Sequence, residues 1–248
     1  MSVYDWLTAL PSEHFDVSPL RELSALSPLA VRDAVRPFVG ILKKQYRMHS
    51  SLSRVPRAWF YFGNALHDGK PDTEVATNRA TLKQVDSPAV ITDGGESNLA
   101  EAEAICTILE RLNAIEGARQ RRPGIMVITP YRHQEALLEQ AIGALRDNDS
   151  LTQLDVEICT LDRCQGREAE YVFISLVRNR ATRFMDMPKR WIVALTRARA
   201  GLFILGDINA YLETVRAERR SPGRHAPTPS LIARLLGAYA GQIAELRR

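Results

Sequence analysis

The sequence predicts an α/β protein built on a mostly parallel sheet with helices on both faces. Short apolar segments recur along the chain, and amphipathic segments with apolar residues at 3.6-residue spacing lie between them. The segment 171–177 is almost continuously apolar, which is typical of a strand buried on both faces. Strands that alternate with helices in this way form parallel sheets covered on both sides.

The composition fits one large domain or two small ones, because 45% of the 248 residues are hydrophobic. No run of about 18 apolar residues is present, and the first residues lack the basic and apolar parts of a signal peptide. We therefore expect no membrane contact and an intracellular location, cytoplasmic or nuclear. Three cysteines form no CxxC pair and the histidines are scattered, so no metal site is predicted. The net charge of +4 favours a polyanionic partner only mildly.

The predicted elements begin with a helical lead-in. Prolines punctuate residues 1–36, which predicts short helices there. An apolar run predicts a strand at 38–42, and the next pattern predicts a helix at 50–62 with a proline interruption. Residues 70–87 are polar and are predicted to form a loop.

The central part alternates strands and helices. Short apolar runs predict strands at 89–92 and 125–128, and 3.6-residue spacing predicts helices at 98–112 and 131–145.

The last part continues the alternation. Strands are predicted at 156–159, 171–177 and 202–205, and helices at 188–199 and 207–217.

These elements divide the chain into three predicted parts. Residues 37–215 form the α/β domain, residues 1–36 are its lead-in, and residues 216–248 join a basic, proline-rich linker to a C-terminal helix at 230–246. That helix can dock on the sheet or on a partner, and the sequence favours neither.

Polar clusters follow the predicted strands. In an open parallel sheet, ligands bind where the strands end at their carboxyl edge. Guanidinium groups bind phosphate in a bidentate manner, and a glycine exposes backbone N–H groups to an anion, so these clusters suit a triphosphate or a nucleic-acid backbone. The clusters are Gln45-Tyr46-Arg47, Thr129-Pro130-Tyr131, the stretch from Asp162 to Glu168, Arg178-Asn179-Arg180, and the stretch from Ala194 to Arg199, which we place on the helix before the final strand.

Four strings carry a resemblance to a known family. "QYRMH", "VITPYRHQ", "TLDRCQGREAEYVFISLVR" and "VALTRAR" resemble the second-domain motifs of superfamily 1 helicases, in the 5′→3′ branch that includes the nonsense-mediated-decay helicase and senataxin-like proteins. "ESNLAEAEAI" is similar to a helix of the same family, and the resemblance runs from about residue 38 to 209 in the family's order. It implies a three-layer RecA-like P-loop NTPase fold, ATP with Mg²⁺ as cofactor, and single-stranded RNA or DNA as partner.

The resemblance also implies a role for individual residues. Arg47 and Arg197 are the implied γ-phosphate arginines, which stabilise phosphoryl transfer. The implied nucleotide contacts are Tyr46 stacking on adenine, Glu168 on the sugar, Gly166 letting the backbone approach the phosphates, and Arg199 supporting Arg197. The implied nucleic-acid track is lined by Thr129, Pro130 and Tyr131, and the residues that couple it to the nucleotide are Thr160, Asp162 and Gln165.

The same residues also have structural interpretations. Tyr46 and Arg47 alone fit a turn with an ion pair, and Glu168 alone fits a salt-bridged surface acid. The aromatic run at 59–62 fits core packing better than base stacking. The ordered set of motifs favours a functional role for Tyr46, Arg47, Glu168 and Arg197.

The chain also departs from the family. It contains no GxxxxGK[ST] and no acidic Asp-Glu pair after an early strand, so the phosphate-binding lysine and the Mg²⁺ ligands are expected on a first RecA-like domain, in cis or in trans. We expect the chain to start just after such a domain ends. Inside the motifs, Arg163-Cys164 and Trp191-Ile192 stand where the family usually has Ser-Phe and Leu-Asn.

Three hypotheses follow. The first is the C-terminal motor domain of a helicase, inactive by itself. The second is a degenerate helicase-like module that binds nucleic acid or acts as a scaffold without ATP hydrolysis. The third is an unrelated α/β enzyme.

Overall fold

A computed structural model describes residues 44–61, 66–69, 79–92, 95–182, 185–220 and 229–246. The predicted lead-in at 1–36, the predicted strand at 38–42 and most of the predicted linker lie outside these residues. The strands are β1 (Lys44–Gln45), β2 (His67–Asp68), β3 (Ala80–Gln84), β4 (Val90–Thr92), β5 (Gly95–Ser97), β6 (Gly124–Thr129), β7 (Asp155–Thr160), β8 (Ala169–Ser175) and β9 (Ala198–Gly206). The helices are α1 (Ser50–Phe60), α2 (Leu99–Ala118), α3 (Arg132–Asp147), α4 (Pro188–Leu195), α5 (Ile208–Arg220) and α6 (Leu231–Leu246).

The centre of the fold is a five-stranded sheet in the order β3-β9-β8-β6-β7, and all of its strands run parallel. In the middle strand, Phe173 lies opposite Val127 on one side and Phe203 on the other. Two short pairs complete the described strands: β1 with β2 is parallel, and β4 with β5 is antiparallel. The prediction of an α/β fold with a mostly parallel sheet is confirmed.

Helices cover both faces of this sheet because each buried strand alternates its side chains between two cores. Ile125 and Val127 point to a core that includes residues of α2 and α3, such as Ile105. Met126 and Ile128 point to the opposite core, where α1, α4, α5 and α6 contribute side chains. The result is the three-layer arrangement of a RecA-like domain.

Local signals explain where the helices begin. The Asn98 side chain accepts a hydrogen bond from the Glu101 N–H and so caps α2. The His49 ring caps α1 in the same way through the Ser51 N–H. Pro188 begins α4, where its missing N–H costs no helical hydrogen bond.

Two predicted elements are wrong, and one predicted strand lies outside the central sheet. The predicted loop at 70–87 contains β3, an edge strand whose polar side chains hid its alternating pattern. The predicted helix at 188–199 ends at Leu195, and the sheet resumes at Ala198, so Arg197 lies in the turn and Arg199 lies on a strand. The predicted strand at 89–92 forms a separate hairpin and does not join the central sheet.

The C-terminal helix α6 docks on its own domain, which decides the alternative that the sequence left open. Leu236 and Tyr239 are fully buried, and Gln242 donates a hydrogen bond to the Ser51 carbonyl at the start of α1. The described helices include none that is long and apolar enough to span a membrane.

Candidate nucleotide and nucleic-acid site

The turn after β1 presents Tyr46 and Arg47 at the surface. The Gln45 side chain accepts hydrogen bonds from the backbone N–H groups of Arg47 at 3.0 Å and Met48 at 2.8 Å. Gln45 therefore closes the turn, a role that sequence reasoning missed although the residue stands in the QYRMH string. Tyr46 is 60% exposed, while Met48 is buried in the core.

Arg47 joins Glu168 and Arg199 in an exposed cluster of two guanidinium groups and one carboxylate. Arg47 Nε donates to Glu168 Oε2 at 2.7 Å, and Arg199 Nη1 lies 3.7 Å from Glu168 Oε1. The hydrogen bond from Arg47 is the main cause that lowers the pKa of the Glu168 carboxyl, and the positive charges add to it. The structure thus brings together side chains that are 121 residues apart in the chain.

Arg197 lies beside this cluster but is only 9% exposed. Its guanidinium donates to the carbonyls of Val193 and Arg167, each at 2.8 Å, and to Thr196 Oγ1 at 3.2 Å. Arg47 Nη1 donates to the Thr196 carbonyl at 3.2 Å, so the two arginines approach the same turn. Burial and then the charge of Arg47 lower the pKa of Arg197. Through these hydrogen bonds Arg197 links the end of α4 to the loop between β7 and β8.

Gly166 lies in the exposed loop between β7 and β8. Its φ of +83° is in the left-handed region, which glycine adopts without strain. A Cβ added there meets no atom within 4 Å, so the backbone of this loop is open to an approaching ligand.

The predicted track residues are buried or half-buried. Thr129 and Pro130 are buried, as is the predicted coupling residue Thr160, and Tyr131 is half-buried with its hydroxyl 3.3 Å from Met185 Sδ. The Thr129 hydroxyl accepts a hydrogen bond from the Tyr131 N–H at 3.4 Å. Tyr131 is therefore the member of the TPY string that reaches the surface.

The coupling residues Asp162 and Gln165 are exposed. Arg190, the third residue of α4, donates to the Asp162 carboxylate at 2.8 and 3.3 Å. This bidentate contact links the loop after β7 to the helix that leads to Arg197. Sequence reasoning did not assign Arg190.

A buried polar network underlies the edge of the sheet and was also missed. Ser175 Oγ donates to Glu101 at 2.6 Å, and the Val177 N–H donates to the same carboxylate at 3.0 Å. Gln134 bonds both Ser175 and the Asn98 backbone. Burial is the main cause that raises the pKa of Glu101 to about 7. The ESNLAEAEAI string carried this signal, because Asn98 and Glu101 stand in it.

The positions at which the chain departs from the family are accommodated locally. Arg163 pairs with Glu135 at 3.1 Å, and the buried Cys164 thiol donates to the Leu161 carbonyl at 3.1 Å. Trp191 is fully buried, and its indole N–H donates to the Met185 carbonyl.

Comparison with known proteins identifies the family to which the chain belongs. The pattern that defines the family described as AAA domain matches residues 24–209. Regulator of nonsense transcripts 1 homologs are similar: that of Neurospora crassa is 32% identical over 184 residues, covering 67% of this chain and 16% of the relative. That of Arabidopsis thaliana is 34% identical over 183 residues, covering 67% and 14%. The ATP-dependent helicase NAM7 of Saccharomyces cerevisiae is 29% identical over 180 residues, covering 67% and 18%.

The chain thus spans about one-sixth of the length of these relatives. Among solved structures, the C-terminal domain of a possible DNA helicase from Lactobacillus plantarum overlaps with 65% of this chain and 87% of that chain, at 10% identity and a TM-score of 0.41.

Proposed function

Because the chain belongs to the AAA domain family and carries a superfamily 1 helicase domain related to the regulators of nonsense transcripts, we propose that it is the C-terminal motor domain of an ATP-dependent nucleic-acid helicase. In this proposal the chain supplies γ-phosphate arginines and half of the single-strand track. It depends on a first RecA-like domain, in cis or in trans, and does not hydrolyse ATP alone.

The observation that carries the proposal is the convergence of Tyr46, Arg47, Glu168 and Arg199 on one surface. An exposed aromatic ring and two guanidinium groups offer a stacking face for a base and bidentate donors for phosphate. The Arg47–Glu168 pair is exposed, and such pairs are worth about 0–1 kcal/mol, so a phosphate can replace the carboxylate at small cost.

The residues present fit ATP. Tyr46 would hold the base, Glu168 the sugar, and Arg47 with Arg199 the phosphates, while the open backbone at Gly166 admits the ligand closely. When bound, ATP supplies the phosphoanhydride bond whose cleavage drives a motor. Mg²⁺ ligands belong to the first domain in this proposal.

Arg197 is less available than Arg47 to contact the γ-phosphate. Its donors are committed to the Val193 and Arg167 carbonyls, so Arg47 makes the first contact with the γ-phosphate. Arg197 reaches the same phosphate only if its guanidinium exchanges one of these carbonyls when ATP binds.

The proposed track follows the carboxyl edge of β6 and β7. Tyr131 offers a ring for base stacking, and the exposed Arg132 and Arg163 offer charge for the phosphates. The Asp162–Arg190 contact connects this edge to α4 and so to the nucleotide arginines.

Hydrolysis by the isolated chain tests the proposal. We expect the purified 248-residue chain to show no nucleic-acid-stimulated ATP hydrolysis, and a fusion to a GxxxxGK[ST]-containing first domain to show hydrolysis that Arg47→Ala abolishes. The coding sequence that precedes Met1 is the cheapest place to look for that first domain. Turnover by the isolated chain at ordinary helicase rates contradicts the proposal.

A second candidate function is a degenerate module that binds nucleic acid or acts as a scaffold without hydrolysis. It is favoured because Arg197 donates to the Val193 and Arg167 carbonyls and so does not present these donors to a phosphate. A filter-binding assay separates the two. If Arg47→Ala leaves single-strand binding intact but ATP still weakens or strengthens wild-type binding, the motor function is supported. Binding that is indifferent to ATP supports the degenerate module.

A further inference from the structure

Asp68 anchors the turn that carries Tyr46 from beneath. Its Oδ1 accepts hydrogen bonds from Gln45 Nε2 at 2.5 Å and from Ser53 Oγ at 2.6 Å, and its Oδ2 lies 2.9 Å from Arg57 Nη1. The Asp68 side chain is only 13% exposed. A carboxylate that is mostly buried and has three donors is held in one place, because leaving any donor unpaired there is costly.

Gln45 connects Asp68 to the turn by hydrogen bonds. Its Nε2 donates to Asp68 and also to the Met48 carbonyl at 2.7 Å, and its Oε1 accepts from the backbone N–H groups of Arg47 and Met48. Both ends of the amide are therefore fully used. The backbone at Tyr46 and Arg47 cannot turn without breaking contacts that end at Asp68.

Gly69 packs against one side of the Tyr46 ring. Its N–H donates to the Gln45 carbonyl at 2.7 Å, which places its α-carbon beside the ring. A Cβ added at Gly69 would lie 2.3 Å from Tyr46 Cε1 and 2.6 Å from Cζ. The ring thus rests against this glycine, and with 60% exposure it leaves its other side open to solvent.

We infer that Asp68 and Gly69, which lie outside every motif that carries the family resemblance, are positioning residues that hold the Tyr46 ring for stacking on a nucleotide base. This inference rests on the proposed nucleotide-binding function. Asp68 fixes the direction of the turn, and Gly69 fixes the side of the ring that a base can reach.

The two residues are expected to act differently when replaced. The methyl group at Gly69 would meet one edge of the Tyr46 ring, so Gly69→Ala displaces the ring and leaves the phosphate contacts in place. Asp68→Ala releases the whole turn, including Arg47, and so weakens contact with both base and phosphate. Asp68→Asn keeps an acceptor for Gln45 and Ser53 and is expected to restore part of the loss.

The test compares two ligands on the full 248-residue chain by NMR titration: ATP and ribose 5′-triphosphate, in which a hydroxyl group replaces the base. A base stacked on an aromatic ring strengthens binding by roughly 5- to 150-fold, so the wild type should prefer ATP by a factor in this range. We expect Gly69→Ala to lose most of that preference with unchanged affinity for ribose 5′-triphosphate. Gly241→Ala, at an open position of α6, is the matched control and should behave like the wild type.

The outcomes distinguish the positioning roles of Asp68 and Gly69 from the proposed nucleotide-binding function. If Tyr46→Ala loses the preference for ATP while folded Gly69→Ala and Asp68→Ala keep it, the inference is overturned and the nucleotide site stands. If the wild type shows no preference for ATP, the proposed base contact fails and the inference fails with it. Thermal unfolding of each variant establishes that it is folded, and should Gly69→Ala not fold, Asp68→Ala and its rescue by Asp68→Asn decide.

Discussion

Arg47 and Arg197 carry the same charged group in very different surroundings. Arg47 is more than one-third exposed and bonds a surface carboxylate, whereas Arg197 is buried and bonds two backbone carbonyls. Removal of the buried Arg197 side chain leaves the two carbonyls without their donor. Removal of the exposed Arg47 side chain lets water take over its hydrogen bonds. The two residues therefore differ in what they contribute to stability, whatever each contributes to catalysis.

Alanine substitution measures that difference. We expect Arg197→Ala to lower the free energy of unfolding by roughly 2 kcal/mol or more, because a buried side chain loses its hydrogen bonds to two backbone carbonyls and to Thr196. Arg47→Ala should change it by about 1 kcal/mol or less. Urea denaturation of both variants checks this, and equal losses would show that burial does not separate the two arginines.

Glu101 gives the stability of the domain a dependence on pH. Its pKa in the folded protein is raised to about 7 from an ordinary value of 4.5, so folding favours the protonated carboxyl. The contribution of Glu101 is fully present below pH 4.5 and is lost as the pH rises through about 7. The loss amounts to roughly 3 kcal/mol over this window.

Glu101→Gln should flatten the dependence between pH 4.5 and 7, because the amide cannot ionise. Its hydrogen bonds from Ser175 and Val177 can still be accepted by the amide oxygen. Chemical denaturation of wild type and variant at several pH values provides the measurement. Parallel pH curves for the two proteins would show that Glu101 does not titrate as described.

At the scale of the elements, the ends of β8 and β9 meet the start of α2. Val177 follows β8 with a φ of +68°, which is strained for a β-branched residue, and the Glu101 carboxylate on α2 accepts its N–H. Gly206 ends β9 with a φ of +153°, and a Cβ there would lie 2.9 Å from Leu176 Cβ. These close approaches explain why a glycine is needed at the edge of the sheet.

Two glycine-to-alanine substitutions should act in opposite directions. Gly206→Ala forces a contact between two backbone-anchored carbons in a strained conformation and should destabilise the domain by roughly 1–3 kcal/mol. Gly143→Ala, in the interior of α3 with no atom within 4 Å of the added Cβ, should stabilise it by about 0.5–1 kcal/mol. Thermal unfolding distinguishes them, and a neutral Gly206→Ala would contradict the packing described.

For the whole molecule, α6 completes one of the two cores. Ile232, Leu236 and Tyr239 are each at most 1% exposed and pack with residues of α1, α5 and the sheet. The C-terminal helix is thus part of the layer that also positions the turn of Tyr46. Its removal uncovers apolar surface on the face that carries α1.

A chain that ends at residue 229 should therefore lose cooperative unfolding and aggregate, because several fully buried side chains disappear together. Removal of 247–248 alone is the matched control and should leave the melting temperature unchanged. Circular dichroism melts and gel filtration provide the readout. A truncated chain that melts like the full chain would exclude a structural role for α6.

Apolar periodicity predicted the parallel sheet and its covering helices, and the resemblance of four ordered motifs indicated the family, because both are local properties of the chain. It did not predict β3, since an edge strand buries too little to need a continuous apolar run. It also extended α4 to 199, although the chain leaves the helix after Leu195 to join β9.

By itself, the sequence determined which residues are candidates for nucleotide and nucleic-acid contact. Only the tertiary structure decided that Arg47 pairs with Glu168, that Arg197 is committed to carbonyls, and that Asp68 and Gly69 stand beneath Tyr46. These contacts join residues up to 121 positions apart. Local pattern cannot specify them, because burial and the choice of hydrogen-bond partner exist only once the distant segments have packed.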